Sequence, residues 1–315
     1  MPDRPTTHKQ RPRRRASRRR HAIVRRATVR SLSVPFKVAA QPVYSLHDAV
    51  LTLLDGAIET LCCGQDDEAV HAARKTCKRI RAGLRLLRGC LGARAYRHEN
   101  RIVRGAAKPL TAVRDAFMLR RMLRTLPLRA AIMRRSLDSE YRRERHALTH
   151  RGVQNALGQI MATRERLVDL PTVDSEAESV VAGVRRSYKA GRKAYSRARS
   201  GNDQALHEWR KQTKYLLNQL ELIDAVFHAE FKKLHRRAER LTVTLGDDHD
   251  LGVLANRMRR QEVNEPSLTK QISKRRSKLQ ARAFRVGKHV YRHSASRLAA
   301  GLRARLLDRH WYQPT

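Results

Sequence analysis

Residues Val70 to Arg81 read VHAARKTCKRIR, and from Leu206 the chain begins a second version, LHEWRKQTKYLL. His71, Arg74, Lys75 and Lys78 return as His207, Arg210, Lys211 and Lys214, each displaced by 136 residues. A second pair of segments keeps the same order. LTAVRDAFML (Leu110 to Leu119) is answered by LGDDHDLGVL (Leu245 to Leu254), with Asp115 matching Asp250 at an offset of 135. Two motifs repeated in one order at nearly one spacing point to a duplicated structural unit. Any fold for this chain must hold that unit twice.

From Pro42 onward apolar residues recur at helical spacing, and no period-2 strand is evident. The pattern predicts helices over 43–62, 66–92, 94–126 and 130–168. After the acidic break LVDLPTVDSEAES around Pro171 it predicts four more, over 177–200, 203–228, 230–262 and 266–311. Asp66/Asp67 and Asn202/Asp203 stand where N-caps of the two repeated helices belong. Pro109 should kink or split the third helix, and Pro266 should open the last. The fold class is therefore all-α, with two similar four-helix halves at 41–170 and 171–315 after a disordered basic arm at 1–40.

The repeated helix is amphipathic to an unusual degree. At about 100° per residue, His71, Arg74, Lys75, Lys78, Arg81 and Arg85 fall within roughly 120° of one another. Ala73, Cys77, Ile80, Leu84, Leu87 and Leu91 take the opposite side. The second copy separates His207, Arg210, Lys211 and Lys214 from Trp209, Leu216, Leu220, Ile223 and Phe227 in the same way. Like charges one turn apart destabilise a helix, so such a stripe makes sense beneath an anionic ligand. In the second half Arg185, Lys189, Arg192 and Arg199 line the opening helix, where the first half has Asp48, Asp55 and Glu59. More of the ligand contact is accordingly expected from the second half, with Lys189 and Arg192 taking part.

Charge carries the same message. The chain has 69 Lys and Arg against 29 Asp and Glu, a formal net charge of +40. Residues 1–37 hold 13 of those basic residues and one acid, which leaves the remainder at +28. A body this basic implies a polyanionic partner. Nucleic acid, bound without sequence preference, is one candidate. Aromatic residues are only 5% of the chain and Trp209 lies on an apolar face, so stacking platforms are missing. A phosphate polymer without bases fits better.

Catalytic machinery is not visible. There is no phosphate-binding loop of the G-x-x-x-x-G-K-[ST] kind and no E-x-E-x-K strand. GDDHD (Gly246 to Asp250) has the residue types of a divalent metal site. The matching Val113-Arg114-Asp115 lacks them, so Asp115 and Asp250 are expected to pair with basic residues. His47-Asp48 and His249-Asp250 keep a metal-dependent phosphohydrolase as a further alternative. Cys62, Cys63, Cys77 and Cys90 form no C-x-x-C pair, and buried free thiols in a reducing cytoplasm are expected. No apolar run approaches a membrane span, and no secretory h-region opens the chain.

VHAARKTCKRIRAGLRLLR and LHEWRKQTKYLLNQLELI, with AVRDAFML and LGDDHDLGVL, closely resemble the CHAD domain, the conserved histidine α-helical domain. The resemblance covers roughly 43–311. It implies two four-helix bundles related by pseudo-twofold symmetry around a basic central groove. It also implies binding of inorganic polyphosphate and association with polyphosphate granules; from the residues themselves no catalysis, cofactor or metal is expected. The implied contacts are His71, Arg74, Lys75, Lys78 and Arg79, with His207, Arg210, Lys211 and Lys214. Two departures stand out. Tyr215 takes the place of Arg79, and Lys108-Pro109-Leu110-Thr111 covers the place of Leu245-Gly246.

Overall fold

The computed structural model describes residues 45–64, 66–124, 131–148, 150–169, 176–228, 231–262 and 265–307. The basic arm at 1–40 and the break around Pro171 lie outside the described residues. Among the described residues there are eleven α-helices, one 3₁₀ turn and no strand. The helices are α1 (Leu46–Cys63), α2 (Asp67–Leu86), α3 (Arg88–Ala106), α4 (Pro109–Arg124), α5 (Ala131–Ala147) and α6 (His150–Val168). The second half adds α7 (Glu176–Arg197), the turn Ala198–Ser200, α8 (Asp203–Phe227), α9 (Lys232–Arg260), α10 (Pro266–Val290) and α11 (Ala295–Leu307).

The repeated helices begin as the sequence predicts. Asp66 accepts from the Ala69 amide at 2.7 Å, and Asn202 accepts from the Ala205 amide at the same distance. Four predicted helices are split, the span 66–92 at Leu87, where α2 gives way to α3. Pro109 opens α4, and the chain breaks just before it, because proline disfavours helical geometry in the residue ahead of it. The span 266–311 breaks after Val290, where hydroxyls take over from backbone donors. Tyr188 donates to the carbonyls of Val290 and His293 at 2.9 and 3.2 Å, and Ser294 accepts from the Arg297 amide at 3.1 Å. The span 130–168 divides between α5 and α6 with no Pro or Gly to mark the place. The boundary predicted near 92 survives as a kink inside α3, where Gly92 takes φ 76°.

In the first half α1, α2, α3 and α6 pack in a ring, each against two of the others. In the second half α7, α8, α9 and α10 follow one another, and α11 returns to α7. Packing also crosses the repeat boundary. Leu119, Met122 and Leu123 of α4 share a buried cluster with Met133 and Leu137 of α5, Leu251, Leu254 and Met258 of α9, and Leu268 and Ile272 of α10. Glu176, opening α7, accepts from the amides of Leu46 and His47 at the start of α1 at 2.8 and 3.0 Å. All described residues fall in one compact unit.

Small residues let α7 press on α2. A Cβ on Gly183 would come within 3.0 Å of the Leu86 Cα, and the Ser179 hydroxyl donates to the Leu86 carbonyl at 2.6 Å. With α7 fixed, α2 and α8 pack against each other. Of the cysteines, Cys77 is buried, whereas Cys62 and Cys63 are exposed at the end of α1, contrary to expectation.

Trp209 is fully buried against Phe284 and Tyr195, both with ring centroids at 5.2 Å. A Cβ on Gly287 would meet the Trp209 ring at 2.5 Å and Tyr195 at 3.0 Å. Two packed rings cannot both yield, so Gly287→Ala is expected to destabilise the fold by about 1–3 kcal/mol, the usual range for overpacking. A lowered urea midpoint checks this; an unchanged midpoint would contradict the packing.

Candidate anion-binding site

The two copies of the motif meet where α2 and α8 pack together. Arg79 reaches across to Glu221 at 3.6 Å, and the Arg85 guanidinium lies 3.9 Å from the Tyr215 ring centre. Tyr215, the departure from the repeat, is thus a contact between the halves: it stacks under Arg85 and hydrogen-bonds Arg81.

The second repeated segment supplies the floor, and its two copies act alike. Arg74 donates to the Thr111 hydroxyl at 3.3 Å and pairs with Asp115 at 3.7 Å. The residues matching Thr111 and Asp115 are Gly246 and Asp250. A Cβ on Gly246 would lie 3.8 Å from Nε of Arg210, and Asp250 is the leading carboxylate acting on that arginine. The same register equates Arg114 with His249. Arg114 acts on His71, Arg74, Lys78 and Arg210, and His249 sits 3.4 Å from His207 between Nδ1 atoms.

Burial and crowding set the protonation states. Lys78 is pushed down to about 6, first by burial and then by Arg74, Arg114, Arg210 and Lys214. Burial lowers His71, helped by Arg114, Lys78 and Lys75, and it lowers His207, helped by Arg210 and Lys211. His249 falls to about 4 through burial and the nearby Arg210 and His207. Lys214 is lowered by burial and by Arg210 and Arg79, against the pull of Glu221 and Glu239. Arg114 and Arg210 each keep a buried Nε–H with no acceptor among the described residues.

On the first-half side the crowding opens into a cleft of about 380 Å³. Arg74, Lys78, Arg81, Arg104 and Lys108 line it with Thr111, and no carboxylate lines it among the described residues. The size suits a short run of phosphate groups. The places matching Arg104 and Lys108 in the second half are Glu239 and Val243, and Glu239 acts on Lys214. The more cationic side of this site is therefore the first half.

The residues expected at the site divide into four groups. His71, Arg74, Lys75, Lys78, His207, Arg210 and Lys214 share one field. Arg79, Arg81 and Arg85 sit at the same crossing but bind protein groups: Arg81 donates to Asn100 at 3.1 Å, and Arg85 to the Arg81 carbonyl at 2.7 Å. Lys211 is exposed and pairs with Glu208 on its own helix. Lys189 and Arg192 are exposed on α7, and among the described interactions neither acts on the α2/α8 cations; Arg192 acts on Tyr188 instead. Sequence reading missed Arg104, Lys108, Thr111 and Arg114. The register that pairs Asp115 with Asp250 could have identified Arg114.

Residues of the acidic GDDHD segment point apart around α9. Asp248 is buried and accepts from Arg276 and Gln280, each at 3.0 Å. Asp247 is raised by burial despite Arg275, Arg282, Arg121 and Arg210. Asp250 is raised by burial against Arg114 and Arg210. No group of three or more metal-ligating side chains gathers among the described residues. In the other His-Asp pair, His47 is buried and its Nε2 donates to the Leu167 carbonyl at 2.8 Å.

Comparison with known proteins agrees with this architecture. The family model of the CHAD domain matches residues 45–259. Among solved structures, the crystal structure of the CHAD domain from the plant Ricinus communis is similar, with a TM-score of 0.55 and 19% identity. The match covers 86% of this chain and 96% of that one. No curated protein matches the chain.

The depressed Lys78 has a consequence for stability. Its folded value is about 6, while an unfolded lysine sits near 10.4. Between those values the unfolded chain binds the extra proton, so stability rises with pH, by up to about 1.4 kcal/mol per pH unit. Thermal denaturation from pH 7 to 9, above the histidine range, should show this slope in the wild type. Lys78→Met should flatten it and raise the midpoint at pH 7. Equal slopes in the two proteins would contradict the assignment.

Proposed function

The chain belongs to the CHAD domain family, and from that premise we propose that it binds inorganic polyphosphate, without catalysing its turnover, on the α2/α8 face and the adjoining first-half cleft. The observation that carries the reading is the convergence of both motif copies on one crowded field, in which Lys78 is held at about 6. A chain of phosphates relieves that crowding wherever it lies. Arginine offers forked donors to phosphate oxygens and lysine a compact charge, so a ligand with no bases and no fixed conformation is accommodated. The placing of Asp115 near Arg74 and of its match Asp250 near Arg210 supports reading the fold as one unit used twice about a central basic groove. No described helix is long and apolar enough to cross a membrane, and association with cytoplasmic polyphosphate granules is part of the same proposal.

Nonspecific nucleic acid is the rival ligand, and competition separates the two. Long-chain polyphosphate bound to the full chain should resist displacement by duplex DNA at physiological salt and equal phosphate concentration. Ready displacement would favour the nucleic-acid reading. Lys78→Gln with Lys214→Gln should weaken polyphosphate by about tenfold or more, as expected for the loss of charge-assisted contacts. Unchanged affinity in the folded double variant would sink the assignment.

Binding should also take up protons. Bound phosphate raises the values of Lys78, His71 and His207, all lowered in the free protein. Affinity should therefore rise as pH falls from about 8 to about 6. Calorimetry in buffers of different ionisation enthalpy measures the uptake. Lys78→Gln should reduce it, and His71→Gln with His207→Gln should reduce what remains. Equal uptake by all three proteins would place the titrating group elsewhere.

A further inference from the structure

We propose that the cavity between the start of α9 and the α10–α11 junction is a second anion site, one that takes a phosphoanhydride group carried on an apolar moiety, as in a nucleoside triphosphate. The cavity measures about 630 Å³, within the size range of small-molecule sites. Lys232, Lys233 and Arg237 of α9 face Arg292 of the connection and Arg297 and Arg305 of α11 across it. No carboxylate lines it among the described residues.

Its lining distinguishes its ligand from that of the α2/α8 cleft. The first-half cleft has no aromatic residue in its wall. This one has the Phe231 ring, with Leu234 and Leu298 beside it. Tyr188 and Val290 lie buried behind them, where the Tyr188 hydroxyl donates to the Val290 and His293 carbonyls. The Arg305 guanidinium lies 4.4 Å from the Phe231 ring centre, which places a cation and an aromatic face side by side. A bare inorganic chain has no surface to set against such a wall, whereas a ligand with a flat organic part and a polyanionic tail matches both portions. The tail also has somewhere to go. A smaller cleft of about 280 Å³, lined by Lys233, Arg236, Arg237 and Arg240, adjoins the cavity through the shared Lys233 and Arg237.

Equilibrium dialysis of the full chain with ATP, inorganic tripolyphosphate and long-chain polyphosphate tests the proposal, with circular dichroism confirming that each variant is folded. Lys233→Gln with Arg237→Gln should weaken ATP by about tenfold or more, on the scale of lost charge-assisted contacts. The same variant should leave long-chain polyphosphate bound at the α2/α8 face. Lys78→Gln with Lys214→Gln should do the reverse. Tripolyphosphate should bind the cavity more weakly than ATP, and Phe231→Ala should narrow that difference. ATP binding that survives Lys233→Gln/Arg237→Gln, or that is lost only with Lys78→Gln/Lys214→Gln, would overturn the second site and leave the polyphosphate reading intact. Tripolyphosphate matching ATP would overturn the organic part. Failure of the α2/α8 variant to affect polyphosphate would instead strike the first reading alone.

Discussion

The packing of α2 against α8 forces cations together, and much of the structure serves to keep them there. Two like charges about 6 Å apart repel by roughly 3 kcal/mol at an effective dielectric of about 20. Burial first, and then repulsion from Arg74, Arg114, Arg210 and Lys214, pushes Lys78 down to about 6. Apolar burial elsewhere must supply the opposing energy. The close seat of α7 on α2, the Trp209 cluster and the α4/α5/α9/α10 core that joins the halves all do so. A solvated surface would have let those side chains splay apart.

The few acids near the site show how the field is shaped. Asp115 pairs with Arg74, and Asp250 is the leading carboxylate acting on Arg210. Glu221 joins α8 to Arg79 of α2 across the crossing. None of these carboxylates lines the first-half cleft, where Arg104 and Lys108 extend the cationic wall. The duplicated unit has therefore diverged in one direction: the matching side of the second half carries Glu239 and Val243. A symmetric motif ends in an asymmetric site because the residues around it, rather than the motif, decide which side opens.

Much of this was legible in the sequence. Helical periodicity gave the all-α class, and a fixed offset gave the repeat, because both depend on spacing alone. The caps at Asp66 and Asn202 and the break at Pro109 followed from local chemistry. The breaks after Ala147 and Val290 did not. The first has no punctuating residue, and the second is made by the Tyr188 hydroxyl reaching from another helix. The site was legible where it lay on the stripe. Lys189 and Arg192 were expected there because a helical wheel shows that a face is cationic without showing which way the helix turns in the fold. Arg114 was missed for the opposite reason: its charge interrupts no pattern, and its importance comes from α4 packing against α2 and placing that charge in the field of both Arg74 and Arg210.

The repeat also constrains the kind of ligand. It presents the same donors twice, Arg74 over Thr111 and Asp115, and Arg210 over Gly246 and Asp250. A ligand that satisfies both sets must offer similar anionic groups at two places along its length. A small phosphate ester offers one such group, so its contact with one copy would leave the other still crowded. A polymer of phosphates offers an equivalent group at every unit and needs no register to do so. Single-stranded nucleic acid shares the charge, but its unpaired bases call for aromatic surfaces to stack on, and Trp209, the only tryptophan of the repeated motif, is enclosed in the core. Crowding that one short ligand would relieve only in part would be relieved throughout by a chain long enough to span the α2/α8 crossing, as the proposed function requires.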